Sequence, residues 1–252
     1  MKKITLLLAL VIIMAVGCQK NFLEVGPQGV ASGEQLKSKT GVNALLVGAY
    51  SLLDGVGSGT TQWHGSVDNW VFGGVVSDDS YKGTDAGDQP EQSFLEQYNW
   101  LSDNTHLRGK WQHLYDAISR CNETIQIAND PAVKDMTASE KTIALAEARF
   151  LRGHYHFEAK KMWGNVPYLD EKMYDRGNPG GVLVTNTVDI WPQIEADFKF
   201  AAENLPATQT QKGRATKWAA KTYLGKTLLF QKKWAAAKAE LLDVYTNSGK
   251  SL

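Results

Sequence analysis

AEARFLRGHYHFEAKKMWGNVPYL, residues 146–169, is the stretch that decides the fold. Its apolar residues recur at intervals of three and four, which is the spacing of a helix face. One stripe is Leu145, Ala148, Leu151, Tyr155, Ala159 and Met162, and a second is Phe150, Gly153 and Phe157. A helix with two apolar sides packs on two sides, as in a helical array, and Gly153 allows a close crossing. Arg149 and Arg152 are expected to bury their stems and to bind Glu147 or nearby carbonyls.

The same stretch is rich in groups that bind metals or transfer protons. His154 and His156 are two residues apart, about 200° around a helix, so they cannot chelate one ion together. His154 and Glu158 have a suitable spacing, but two ligands are too few for a structural site. Acid/base catalysis would need a cleft and a partner group, and neither is visible in the sequence. We therefore expect no metal or catalytic site at this helix, and no metal, cofactor or catalysis elsewhere in the chain.

Helical periodicity extends over most of the remaining chain. The predicted helices are 35–53, 111–128, 137–163, 188–205, 215–230 and 234–245. Thr137 and Glu140 form a capping box pattern, and Asp189 is a plausible N-cap. In the last pair, Gly225 and Ala237 have the twelve-residue spacing at which tetratricopeptide helices cross closely. Since no convincing strand appears, the predicted fold class is all-α, with tetratricopeptide-like repeats and long irregular loops.

Residues 62–105 interrupt this pattern. They show no sustained period, and they contain several of the eight Trp and nine Tyr of the chain. A long irregular segment inside a compact domain is usually functional or flexible. Its aromatic side chains either fill a core or offer flat apolar faces to a ligand such as a sugar.

The N-terminus indicates export and lipidation. Lys2 and Lys3 precede a thirteen-residue apolar run, Ile4–Val16, which is too short to span a bilayer. Gly17 followed by Cys18 resembles a bacterial lipoprotein cleavage site, although a plain secretory signal with an incidental cysteine is the alternative. Several acyl chains on Cys18 would anchor the protein firmly.

Composition and length indicate which classes of partner to exclude and how the chain divides into domains. The chain has 252 residues, 43% hydrophobic and 21% charged, with a formal net charge of zero, so nothing points to nucleic acid. We expect a signal peptide over 1–17, a tether over 18–33 and one helical domain over 34–252. Cys121 is expected to be buried in a helix and unreactive.

The segment 146–169 also resembles the characteristic helix of the SusD/RagB-like outer-membrane nutrient-binding lipoproteins. The matching residues are Glu147, Arg149, Phe150, Leu151, Arg152, Tyr155, Gly164, Val166 and Pro167. Trp163 stands where Phe is commoner, and Gly153 replaces the usual Ala. Further similar segments, in the right order, are 18–27, 41–53, 76–79, 111–122 and 213–220.

This resemblance implies a helical fold, a place on the outer membrane facing the medium, and binding of glycans or sometimes peptides. It implies a TonB-dependent barrel transporter as the partner, a lipid anchor, and no catalysis. Members of the family are about twice as long as this chain. The 34–252 domain is therefore expected to be incomplete at its C-terminus and to expose apolar helix faces.

The resemblance places the N-terminal contribution to ligand binding in the loop after the acidic turn at Asp78. We predict contacts from Trp63 and Trp70, just before this loop, and from Tyr81 within it. Asp85, Asp88 and Gln89 are predicted to bind hydroxyl groups. The alternative is that both Trp pack under the loop while the Asp side chains are only solvated.

Two other classes of protein remain open from the sequence. One is a periplasmic helical-repeat scaffold that binds protein partners, for which the aromatic segment would have no evident use. The other is an anchored hydrolase that uses Asp78 and Asp79, although adjacent carboxylates are poorly placed to flank one glycosidic bond.

Overall fold

A computed structural model describes the chain over residues 33–54, 63–178, 181 and 183–250. The chain divides into two compact units, residues 1–34 and 35–252, and nearly all described residues belong to the second unit. The predicted signal peptide and Cys18 lie outside the described residues. Within the described ranges every regular element is a helix, which confirms the predicted all-α class.

Eight α-helices occur in the described part of the chain. They are α1 Gly33–Leu36, α2 Lys39–Tyr50, α3 Pro90–Glu96, α4 Thr105–Asn129, α5 Ala138–Trp163, α6 Trp191–Asn204, α7 Lys217–Phe230 and α8 Trp234–Asn247. A 3₁₀ turn at Ser51–Leu53 extends α2, and two further short elements, Ser66–Asp68 and Val71–Val75, precede α3. The predicted long helices therefore all form.

The ends of α5 follow the predicted local signals. The Thr137 hydroxyl accepts the N–H of Glu140, and the Glu140 carboxylate accepts the N–H of Thr137, which completes the capping box. The helix ends at Gly164, whose φ of 73° is a conformation that other residues rarely adopt. Its N–H donates to the Lys160 carbonyl.

Two helix starts differ from the prediction. Helix α6 begins at Trp191, its N-cap is Ile190 and not Asp189, and Pro192 occupies its first turn. The Asp189 carboxylate still accepts the N–H of Trp191 at 3.3 Å, so it supports this end from one position further out. Helix α7 begins two residues later than predicted because Thr216 caps it by accepting the N–H of Ala219.

The helices from α4 to α8 each pack against the next one along the chain, and α2 packs on both α4 and α5. Helix α5 is buried on both sides, and Tyr155 and Phe157 are among the largest fully buried side chains. A Cβ at Gly153 would lie 3.1 Å from the Phe198 ring, so Gly153 does mark a close crossing, with α6. At Gly225 a Cβ would lie 2.6 Å from Leu241 on α8. The helical repeat prediction is confirmed.

Arg152 has other partners than the sequence predicts. Its guanidinium donates twice to Asp197, at 2.8 and 2.7 Å, and also to Asn122 and Glu171. These partners lie on α4, on α6 and in the loop after α5, so a single buried cation joins three parts of the array. Glu147 instead accepts the hydroxyl of Tyr50 and a guanidinium N–H of Arg214.

The segment between α2 and α4 is organised differently, and we name its described residues 63–104 the aromatic insert. Its buried apolar side chains, Val71, Val75 and Leu95, are not part of the main core cluster. A buried lysine on α4, Lys110, donates to the Gly65 carbonyl at 2.7 Å and to the Asn69 side chain at 2.9 Å. Burial lowers the pKa of Lys110 to about 8.

Candidate functional site

The loop that carries four of the predicted ligand-binding residues folds around Lys82. Its buried ammonium donates to the hydroxyl of Thr84 and to the backbone carbonyls of Asp85 and Asp88. The Asp85 carboxylate accepts the N–H groups of Gly87 and Asp88, at 2.8 and 3.2 Å. The loop thus has its own internal hydrogen bonds, and the Asp85 carboxylate is already used in them.

The three aromatic residues of the predicted site are exposed. The exposed fractions are 61% for Trp63, 43% for Trp70 and 70% for Tyr81. No ring contact joins these three side chains within the part of the chain that the structure describes. The Asp88 side chain is also exposed.

Gln89 lies at the start of α3 with a left-handed backbone, φ 48°. Its side-chain Oε1 lies 3.3 Å from Nε2 of His106, the second residue of α4. His106 in turn places Nδ1 3.3 Å from the Asp68 carboxylate, and His64 Nδ1 lies 2.6 Å from the same oxygen. Gln89 therefore belongs to a polar cluster that fastens the insert to α4.

Asp68 is the centre of this cluster and is almost completely buried. Burial acts to raise the pKa of its carboxyl group, but the contacts with His106 and His64 outweigh this effect and hold the pKa below its ordinary value. A Cβ at Gly109 would lie 2.0 Å from the His64 ring, so the imidazole lies directly on the α4 backbone. The rings of His64 and His106 meet edge to face at 5.4 Å.

A groove of about 1200 Å³ opens between the insert, α4, the second half of α5 and α7. Its aromatic lining residues are Phe72, Trp100, Trp111, Trp163 and Tyr223. Trp111 and Trp163 meet edge to face at 5.2 Å, while Tyr98 and Trp100 lie 6.0 Å apart beside the groove. Flat rings in such a concave site offer apolar contact to the faces of a ligand.

Charged groups share the lining of this groove. They are Arg108, Glu158, Lys161 and Lys226, together with the side chain of His154. Glu158 accepts a hydrogen bond from Lys161. Burial acts to raise the pKa of the Glu158 carboxyl group, yet Lys161 and other neighbouring cationic groups hold it below its ordinary value. The groove can therefore both stack against a ligand and donate or accept hydrogen bonds.

None of the six predicted ligand-binding residues lines this groove. The sequence predicts α5 as a packing element, but one of its sides also forms a wall of the groove, through His154, Glu158, Lys161, Met162 and Trp163. The available signal was the polar character of His154, Glu158 and Lys161, which lie on one side of α5 at helical spacing. The roles of Trp63, Trp70, Tyr81, Asp85, Asp88 and Gln89 remain predictions.

These features define a helical-repeat protein that carries an irregular segment with exposed aromatic side chains. A family model described as "SusD-like_3: Starch-binding associating with outer membrane" matches residues 21–229, which is most of the chain. The chain belongs to the SusD-like family, as the motif around Arg152 predicts.

Relatives and solved structures support this assignment. A SusD-like protein of Bacteroides ovatus is 30% identical over 58% of this chain and 29% of its own length. SusD-like protein P2 of Formosa agariphila is 24% identical over 99% of this chain and 47% of its own length. The chain thus spans less than half the length of these curated relatives.

Two solved structures share the fold at 26% identity. A laminarin-binding SusD-like protein has a TM-score of 0.69 over 84% of this chain and 46% of its own. Surface glycan-binding protein A from Bacteroides fluxus has a TM-score of 0.67 over 84% of this chain and 44% of its own. Among the described helices, none combines the length and the apolar character that crossing a bilayer requires.

Proposed function

We propose that this chain is part of a surface lipoprotein that binds a glycan and passes it to a TonB-dependent barrel transporter in the outer membrane. In this proposal, Cys18 carries the lipid anchor, residues 1–17 are removed as a signal peptide, and no bond of the ligand is broken. Membership of the SusD-like family supports this function. The observation that carries it is the concentration of exposed aromatic side chains in the aromatic insert.

Single exposed aromatic side chains are common on protein surfaces, but several exposed ones concentrated in one segment are typical of a surface that a ligand or partner covers. The insert exposes Trp63, Trp70, Tyr81, Tyr98 and Trp100 within fewer than forty residues. Sugar rings present flat C–H faces that stack on aromatic rings, and their hydroxyl groups need polar partners at the rim. The groove beside Trp100 offers such partners in Arg108, Glu158 and Lys161.

We therefore assign the glycan to a surface that runs from the predicted residues of the insert to the mouth of the groove. Tyr81, Asp88 and Gln89 would contact the ligand outside the groove, with Asp85 shaping their loop. Trp100 would contact it at the groove itself. Relatives that bind laminarin are consistent with a β-glucan, so laminarin is the first probe to test.

Binding can be measured by isothermal titration with laminarin, xyloglucan and starch oligosaccharides. The variants Trp63→Ala, Trp70→Ala, Tyr81→Ala and Trp100→Ala are compared with Trp234→Ala on α8. Trp234 is a matched control because it is 61% exposed, like Trp63, but lies outside the insert. We expect each insert variant to weaken binding by about 1–3 kcal/mol, the usual contribution of a stacking aromatic residue.

The same experiment separates the alternatives. If Trp234→Ala weakened binding as much as the insert variants, the assignment of the site would be wrong. If no glycan bound but periplasmic proteins did, the scaffold hypothesis would replace this proposal. Release of reducing sugar by the purified protein would support the hydrolase hypothesis.

Surface display and delivery need tests of their own. Cys18→Ala should release the protein from the outer membrane, and added protease should degrade the wild-type protein on intact cells. Resistance to protease would argue against surface display. Co-purification of a barrel transporter with the wild-type protein tests the partner directly.

A further inference from the structure

His64, Asp68 and His106 bring three metal-binding side chains to one point. One ligand atom from each of the three lies within 4.8 Å of the others. The residues come from two segments: His64 lies just before the short turn Ser66–Asp68, Asp68 ends that turn, and His106 lies in the first turn of α4. Asp68 and His106 are buried, and His64 is only partly exposed.

The contacts of His106 are unusual for a neutral imidazole. Its Nδ1 faces the Asp68 carboxylate, and its Nε2 faces the amide oxygen Oε1 of Gln89, both at 3.3 Å. A neutral ring carries one N–H, so it can donate to only one of these two acceptors. Three arrangements would satisfy the second contact: a second proton on the ring, a rotated Gln89 amide that donates its NH₂ group to Nε2, or a cation beside the unprotonated nitrogen.

We propose that His64, Asp68 and His106 bind a divalent first-row metal ion of the zinc type. Two imidazole nitrogens and one carboxylate oxygen form a known ligand class for such ions, with a further position left for water. In this arrangement Nδ1 of His106 binds the metal while Nε2–H donates to Gln89. A second hydrogen bond of this kind commonly orients a ligating histidine.

The separations to Asp68 can be compared with tetrahedral zinc geometry, while the two histidine ligand atoms lie within 4.8 Å of each other. Ligand atoms around a tetrahedral zinc ion are separated by roughly 3.3 Å, because Zn–N and Zn–O bonds are about 2.0–2.1 Å long. The His106–Asp68 separation of 3.3 Å already agrees with this value. The His64–Asp68 separation of 2.6 Å must open by less than 1 Å.

Bound metal would hold the start of the insert against α4. Trp63 precedes His64, and Gln89 ends the loop that Lys82 organises, so both neighbours of the cluster belong to the predicted ligand-binding segment. Metal binding at these three residues does not require that the chain bind a glycan.

The test uses the purified chain without a histidine tag, stripped with a chelator and titrated with Zn²⁺. We expect saturable binding of one ion per chain. His64→Gln, Asp68→Asn and His106→Gln should each weaken it about tenfold or more. His154→Gln is the matched control, because His154 lies outside the cluster and should leave Zn²⁺ affinity unchanged.

Co²⁺ provides a second readout that needs no variant. A bound Co²⁺ ion with nitrogen and oxygen ligands at a protein site should give visible absorption bands that saturate at one equivalent and disappear when Zn²⁺ is added. Circular dichroism identifies any variant that has lost its fold. Absence of saturable Zn²⁺ and Co²⁺ binding to the wild-type chain, or equal loss in His154→Gln, would overturn the proposal and leave a hydrogen-bonded His–Asp–His cluster.

Discussion

The helical array from α4 to α8 and the aromatic insert of residues 63–104 are held together by different interactions. The array buries large apolar side chains and joins three of its parts through Arg152. The insert buries few apolar residues, exposes its aromatic rings, and is held by the lysines Lys82 and Lys110 and by the cluster around Asp68. An apolar core thus stabilises the array, whereas polar contacts hold the insert and leave its aromatic side chains exposed.

Arg152→Met tests the array with the largest expected effect. The substitution removes the two short guanidinium hydrogen bonds to the buried carboxylate of Asp197 and leaves only Arg149, whose Nε lies 4.0 Å away, so we expect a loss of about 3–5 kcal/mol in the free energy of unfolding. Urea denaturation measures it. The double variant Arg152→Met with Asp197→Leu removes both charges and should recover part of the loss. Equal stability of the single and double variants would contradict this account.

Acidification should also destabilise the array, through His156. Its Nδ1–H donates to the Arg152 carbonyl and its Nε2 accepts the N–H of Leu169, so the neutral ring satisfies both contacts. Burial and the nearby charge of Arg152 lower the pKa of His156 from 6.5 to about 3. As the pH falls below 6.5, the unfolded chain therefore binds a proton that the folded chain does not, and stability decreases.

We expect His156 to contribute about 2 kcal/mol to this loss between roughly pH 6.5 and 4.5. The measurement is the free energy of unfolding against pH for the wild-type chain and for His156→Gln. Glutamine does not titrate, so its curve should be flatter over this interval, whatever its stability at neutral pH. Parallel curves would show that His156 is not the responsible group.

A smaller effect is expected where the insert meets α4. Gly109→Ala would place a Cβ 2.0 Å from the His64 ring, so the ring must move away from the helix. We expect a net loss of about 1–2 kcal/mol, because overpacking outweighs the better helix propensity of alanine. Gly48→Ala on α2 is the control, since nothing lies within 4 Å of its new Cβ. That variant should be unchanged or slightly more stable, and thermal unfolding measures both.

The smallest change in stability is expected from Trp63→Ala in the insert. Its ring is 61% exposed, so removal should alter the free energy of unfolding by less than about 0.5 kcal/mol. The same variant should weaken glycan binding clearly. A large loss of stability would mean that Trp63 packs as part of the fold, and the contrast between the two regions would then fail at this position.

The sequence by itself determined the helices of the array and most of their limits. Apolar periodicity, the Thr137 capping box and Gly164 act within a few residues of one another, so local physics suffices to predict α5. The family motif around Arg152 likewise lies within one short stretch. The start of α6 was predicted three residues early because Asp189 supports the helix from outside it.

Only the tertiary structure decided which distant groups meet. Asp197 and Arg152 are 45 residues apart in the sequence, and Asp68 and His106 are 38 residues apart. No local sequence pattern predicts either pair. The groove likewise combines the insert, α4, α5 and α7. The physical reason is range: helix propensity and capping act between near neighbours, whereas charge pairing, groove shape and clustering of ligands depend on how complete helices pack.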